Sequence, residues 1–179
     1  MVETGSLGYT TNMGSIVLLA EAAEAIDTIG NGLDALFATG MSPADDRDAI
    51  QWITELETLS RRVAAAQTGL VAVIDRDNLH AADGHASAKV MVRHHAKLSE
   101  GDAKARTQVA AACSDLPDVA EAWQAGQVGA SQMRVIGEVH ANPRVRPEME
   151  ARQLRLLDDA KLMSARRFAQ TTRSWARLV

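Results

Sequence analysis

A chain of 179 residues with net charge −4 is long enough for one domain, with or without an extension, and buries about two thirds of its unfolded surface on folding. Alanine, leucine and arginine are the commonest residues and only six side chains are aromatic, a composition that favours helices and argues against a sheet, whose pleated surface wants β-branched and aromatic residues. The single Cys113 excludes an internal disulfide and fits a reducing cytoplasm, and the apolar run Ile16–Ala20, with no basic residue before it, is too short for a signal core or a membrane span.

Residues 1–13 are rich in glycine and threonine without a period, which predicts a flexible lead-in. From Leu19 the apolar residues Leu19, Ala22, Ile26, Ile29, Leu33 and Leu36 alternate at spacings of 3 and 4, a heptad seam. Gly30 and Gly32 lie off the seam and point to a kink or break near Asn31. Gly40 to Asp46 then reads as stop and start, with Gly40 ending the first helix, Ser42 as N-cap and Pro43 at the first helical position of the second. That second helix carries its own seam, Trp52, Leu56, Leu59, Val63, Ala66, Leu70 and Val73, and two such helices on a short loop are expected to lie antiparallel. Polar residues Asp75–Asn78 and Gly84 end it.

The stretch Gly84–Arg134 strings short helices together, each behind a start signal. Ser87 is expected to cap one helix, Ser99 a second in a capping box closed by Asp102, and Pro117 opens a third. Gly129 begins a helix through about Ala141, and two prolines, Pro143 and Pro147, interrupt the chain before a helix from Pro147 to Asp158 with Met149, Leu154 and Leu157 inward. Ser164 caps a last helix whose inner face is Ala165, Phe168, Thr172 and Trp175. The reading is therefore all-α. An antiparallel hairpin of two long helices (14–80) precedes a bundle of about five shorter ones (84–179), within a single helical domain 14–179.

No catalytic centre, cofactor site or metal site is assigned from these residues. His94 and His95, or His140 with Asn142, imitate a His-Asn-His nuclease signature, but adjacent helical residues point about 100° apart and no β-hairpin is available to complete the site. His80 and His85 flank Gly84 with no further ligand at metal spacing. No Gly-rich phosphate loop, Cys-x-x-Cys pair or nucleophile elbow occurs. A helix-turn-helix over Ala88–Ala112 has about the right length, but Glu100 and Asp102 at the start of its second helix would repel a phosphate backbone.

Several short motifs carry a family resemblance. Asp83-Gly84 with Ser87, Leu98-Ser99 with Ala103 and Arg106, Leu116-Pro117, Ala125-Gly126-Gln127-Val128, and Gln132-Met133-Arg134-Val135-Ile136, in that order, resemble the actinobacterial domain of unknown function 222, also called the mycobacterial 13E12 repeat family, over about residues 45–179. Val90 and Met91 stand where that family usually has an aromatic or leucine pair, and Gly129 where it has a serine or threonine cap. The resemblance implies a helical N-terminal part of an HNH endonuclease-like protein, with the nuclease domain, if any, beyond residue 179.

Charge is unevenly spread. Residues 1–80 hold 12 acidic and 4 basic side chains, and residues 81–179 hold 11 and 15. Arg166, Arg173 and Arg177 share one side of the last helix, with Arg144, Arg146, Arg152 and Arg155 before it. The leading expectation is a non-catalytic domain serving in DNA engagement, weak and non-specific through those arginines, or in protein assembly. The alternative is a purely structural dimerisation module, a homodimer held by Leu19, Ile26, Leu33, Trp52, Leu56, Leu59, Val63 and Leu70. Neither reading requires a cofactor, a membrane or a small-molecule substrate.

Overall fold

A computed structural model describes the backbone of residues 13–179 and the side chains from residue 20 onward; the expected lead-in thus lies outside the described residues except for Met13, as does the side chain of Leu19. Ten helices and no strand occur among the described residues. They are α1 (Met13–Ala38), α2 (Asp46–Arg76), α3 (Leu79–Ala82), α4 (Ala88–His95), α5 (Glu100–Asp115), α6 (Pro117–Gln124), α7 (Ala130–His140), α8 (Arg146–Ala151), α9 (Gln153–Leu162) and α10 (Ala165–Ala176). The chain is all-α, with eight helices after the two long ones where about five were expected. It forms two compact units, one up to Ile50 and one over Gln51–Val179.

In the first unit α1 runs unbroken through Gly30 and Gly32. Propagating a helix costs far less than starting one, so Gly30 and Gly32 do not interrupt it. Gly40 ends the segment at φ +73, with its N–H donating to the Phe37 carbonyl at 3.0 Å. The expected Ser42 cap is displaced. Asp45 caps α2 instead, its Oδ1 accepting from the Asp48 N–H at 2.9 Å, because a carboxylate both satisfies an orphan donor and meets the positive helix end.

The second unit is built around α5. Ala103, Val109, Ala110 and Ala112 are all buried, and its small side chains serve two apolar clusters. One joins Val109 and Ala112 to Val119 and Trp123 of α6, Met133 and Ile136 of α7, Met149 of α8, Leu156 and Leu157 of α9, and Phe168 of α10. The other joins Ala110 to Val92 of α4 and to Val71 and Ile74 of α2. The α5–α7 contact is the most extensive. A Cβ on Gly137 would stand 2.8 Å from the Val109 backbone nitrogen and 3.0 Å from the Gln108 carbonyl carbon. Gly126, at φ +74 in the turn before α7, is hemmed in the same way by Thr58 of α2, whose Cγ2 would lie 2.7 Å away.

Capping follows the sequence at most starts. Ser87 accepts from the Val90 N–H, Ser99 from the Asp102 N–H and Ser164 from the Arg167 N–H, while Pro117 sits at the head of α6. The capping box is altered. The Ser99 hydroxyl donates to Asp102 Oδ2 at 2.7 Å, and the carboxylate's other oxygen takes Arg134 of α7 at 2.5 Å, so Asp102 ties two helices together instead of returning a bond to the backbone. The helix expected over Pro147–Asp158 is split at Arg152 into α8 and α9. That break rotates the register, so Leu154 is 66% exposed and Leu156 takes the inward place. In α10, Phe168 and Thr172 are buried, Trp175 is half-buried and Ala165 is exposed.

Gly137→Ala is expected to destabilise the protein by about 1–3 kcal/mol through overpacking against α5, although alanine is the better helix former. Gly69→Ala, in α2 with open space around it, is expected to stabilise by about 0.5–1 kcal/mol. Denaturant unfolding of both variants beside the parent checks the opposite signs.

Candidate functional site

Four polar side chains that are scattered in sequence meet beside α4. Gly84 takes φ +75 and turns the chain between α3 and α4, and the His85 carbonyl is 3.1 Å from His80 Nδ1. Side chains on a helix lean toward its N-terminus, so His94 and His95 in the last turn of α4 reach back toward this turn. The three rings pack against one another, with centroids 5.3 Å apart for His85 and His94, 5.5 Å for His85 and His95, and 5.0 Å for His94 and His95. His85 Nε2 faces His94 Nδ1 at 3.1 Å. Asp83 Oδ2 lies 2.6 Å from His95 Nε2 and 3.0 Å from His85 Nδ1. Hydrogen bonding from His95 is the main reason the Asp83 carboxyl is held below the usual range. His94 and His95 are exposed, but they do not act separately: His85 sits over the notch between the two diverging rings.

The basic residues expected to form a stripe do different things. Arg173 gives both Nε and an Nη to Glu138 of α7, at 3.1 and 2.6 Å. Arg152 stacks on Trp175 at 4.9 Å, and Arg146 Nε donates to the His140 carbonyl at 3.0 Å. Arg144, Arg155, Arg166 and Arg177 are exposed and make no ion pair among the described residues. Glu100 at the head of α5 accepts from Lys89 and Arg93 of α4, each at 2.6 Å, which occupies the lysine and the arginine of the first helix of the helix-turn-helix segment.

The α2 seam is not what the bundle covers. The helix buries the adjoining stripe, Ala65, Thr68, Val71 and Ile74. Leu59, Val63 and Leu70 stay exposed, at 50, 39 and 59%, and Trp52 and Leu56 are half-buried. In α1, Ile26 and Leu33 are exposed at 69 and 43%.

Between α2, α5, α6 and α7 lies a cleft of about 200 Å³ lined by Thr68, Leu98, Asp102, Arg106, Met133 and Arg134, among others. The buried Trp123 Nε1 borders it without a hydrogen-bond partner. Leu98, Arg106, Met133 and Arg134 all belong to the motifs singled out in the sequence, and the α5–α7 packing brings them to one place.

A family model described as a domain of unknown function (DUF222) matches residues 50–178. The chain belongs to that family. No curated protein and no solved structure matches it. The DUF222 span coincides with the second compact unit, and α1 lies outside it. No described helix of this DUF222 chain is long and apolar enough to cross a membrane.

Two groups in the DUF222 unit have reactive chemistry suppressed by burial. Desolvation pushes the half-buried Cys113 thiol up to about 11, which leaves it a protonated, inert apolar residue. His140 is buried at the end of α7, 2.9 Å from Asp115 Oδ2. Burial, against the pull of Asp115, holds its pKa below the ordinary imidazole value, and Arg146 adds to the lowering. The neutral ring therefore favours the folded state, and its contribution is intact above the unfolded pKa of about 6.5 and is lost as pH falls below it. Melting temperatures measured from about pH 7.5 down to about pH 5 should fall less steeply for His140→Gln than for the parent.

Proposed function

We propose that this DUF222 chain is a non-catalytic assembly module whose heptad seams pack against the helices of a second copy. The observation that carries the reading is the uncovered seam of α2: Leu59, Val63 and Leu70 stand at knob positions of a helix whose neighbouring stripe already supplies the bundle core. Apolar side chains repeated at heptad spacing form a surface shaped for another heptad helix, and soluble monomers rarely leave such patches open. A second copy is the matching occupant, because the same chain carries a second seam of the same spacing in α1. The HNH-associated setting implied by the family resemblance accords with a module that brings chains together and leaves chemistry to another domain.

DNA engagement is the second reading, supported by the exposed Arg144, Arg155, Arg166 and Arg177. It draws less on Arg173, whose guanidinium is occupied by Glu138. Two phosphates met by Arg166 and Arg177 would give a slope of about 2 in log affinity against log salt. Replacing both by glutamine should flatten that slope in a titration of duplex DNA.

For the assembly reading, light scattering at high micromolar concentration is expected to give twice the mass of one chain. Leu59→Glu with Leu70→Glu should return the mass to one chain while leaving helical circular dichroism intact, since both side chains are exposed in the isolated chain. A parent of single-chain mass would overturn self-assembly and leave an intramolecular hairpin as the use of the seams.

A further inference from the structure

We propose that His85, His94 and His95, with Asp83, form a binding site for a divalent transition cation of the zinc class. One ligand nitrogen from each ring lies within 4.8 Å of the others. A tetrahedral zinc with bonds of about 2.0–2.1 Å sets its nitrogen ligands about 3.4 Å apart. His85 Nε2 and His94 Nδ1 are already at 3.1 Å, close to such an edge. The third ring has to swing by a little over an ångström, and His94 and His95, exposed at the end of α4, are free to make that adjustment.

The arrangement around the rings matches what a cation needs. A histidine binds metal through one neutral nitrogen, and the hydrogen bond made by the other nitrogen fixes which one is free. Asp83 Oδ2 accepts from His95 Nε2 at 2.6 Å, which holds that ring's proton on Nε2 and leaves its Nδ1 lone pair free for a cation, and the same oxygen lies 3.0 Å from His85 Nδ1. His85 Nε2 and His94 Nδ1 share one hydrogen bond at 3.1 Å, and a cation would take the place of the shared proton between them. The local field also favours a cation, because the carbonyl end of α4 and the Asp83 carboxylate both carry negative charge toward the rings. Three imidazoles and a carboxylate select zinc, copper, nickel or cobalt over magnesium or calcium, which prefer all-oxygen sites.

Binding would join the α3–α4 turn to the last turn of α4, a local clasp on a helix of 8 residues. This site is separate from both seams and from the exposed arginines, so it stands or falls independently of the assembly reading. It also differs from a His-Asn-His nuclease centre, since all three histidines come from one helix and the turn before it.

The test is titration of the full chain with zinc against a chromogenic chelator, with native mass spectrometry for stoichiometry. One zinc per chain with a micromolar or tighter dissociation constant is expected, and no binding of magnesium. His94→Ala with His95→Ala should weaken zinc binding at least 100-fold with helical content unchanged. Asp83→Asn should weaken it by about 10- to 100-fold, the usual effect of losing an orienting carboxylate. Cys113→Ser should bind like the parent, which excludes the thiol as the ligand. In the parent itself, zinc should shift the ring resonances of three of its five histidines. Parent-like affinity in the double histidine variant, shifts confined to other histidines, or no zinc bound at high micromolar concentration would overturn the site.

Discussion

The approach of α7 to α5 at Gly137 is the contact on which the rest of the second unit depends. Helix axes normally stay about 8–10 Å apart because side chains keep them there. A residue without a Cβ lets α7 settle onto the backbone at Gln108 and Val109. The small residues of α5, Ala103, Ala110 and Ala112, extend the same economy of space around the helix, so that one slim rod is enclosed by neighbours. Larger side chains then fill the periphery, with Phe168, Met149, Leu156 and Leu157 closing the cluster from α8, α9 and α10. Asp102 pairs with Arg134 at the exposed edge of the α5–α7 contact, where it fixes register more than it adds stability.

Much of this was legible in the sequence. Helix starts marked by serine or proline could be read because they are local: a serine cap is a hydrogen bond between residues three apart, as at Ser87, Ser99 and Ser164, and Pro117 sits at the first helical position where its missing N–H is not felt. What was not legible depended on choices between close competitors. Ser42-Pro43 and Asp45 are both acceptable starts for α2, and the charged cap won. Leu154 and Leu156 both fit an inward position until the break at Arg152 settles the phase. On α2 the strict heptad of large residues reads as the packing face, whereas the bundle buries the alanine- and threonine-bearing stripe beside it, since close packing favours small residues that admit neighbouring backbones.

The histidine cluster was hidden for a different reason. Reading along a helix correctly sets His94 and His95 at diverging angles, and a pair that diverges looks unable to share a ligand. A third ring brought in from the turn closes that angle, and the turn depends on Gly84 in a left-handed conformation, which no periodicity reveals. The pattern Asp83-Gly84-His85 followed by a capped two-turn helix ending in His94-His95 is the signal that could have found it.

Every buried apolar side chain among the described residues lies between Ala65 and Phe168. Substitutions at residues 20–50 therefore touch no enclosed packing, and the core exerts almost no restraint on the composition of α1 over that span. Changes in α1 would then leave melting behaviour almost untouched, so that helix can diverge freely while the remainder stays tied to its core.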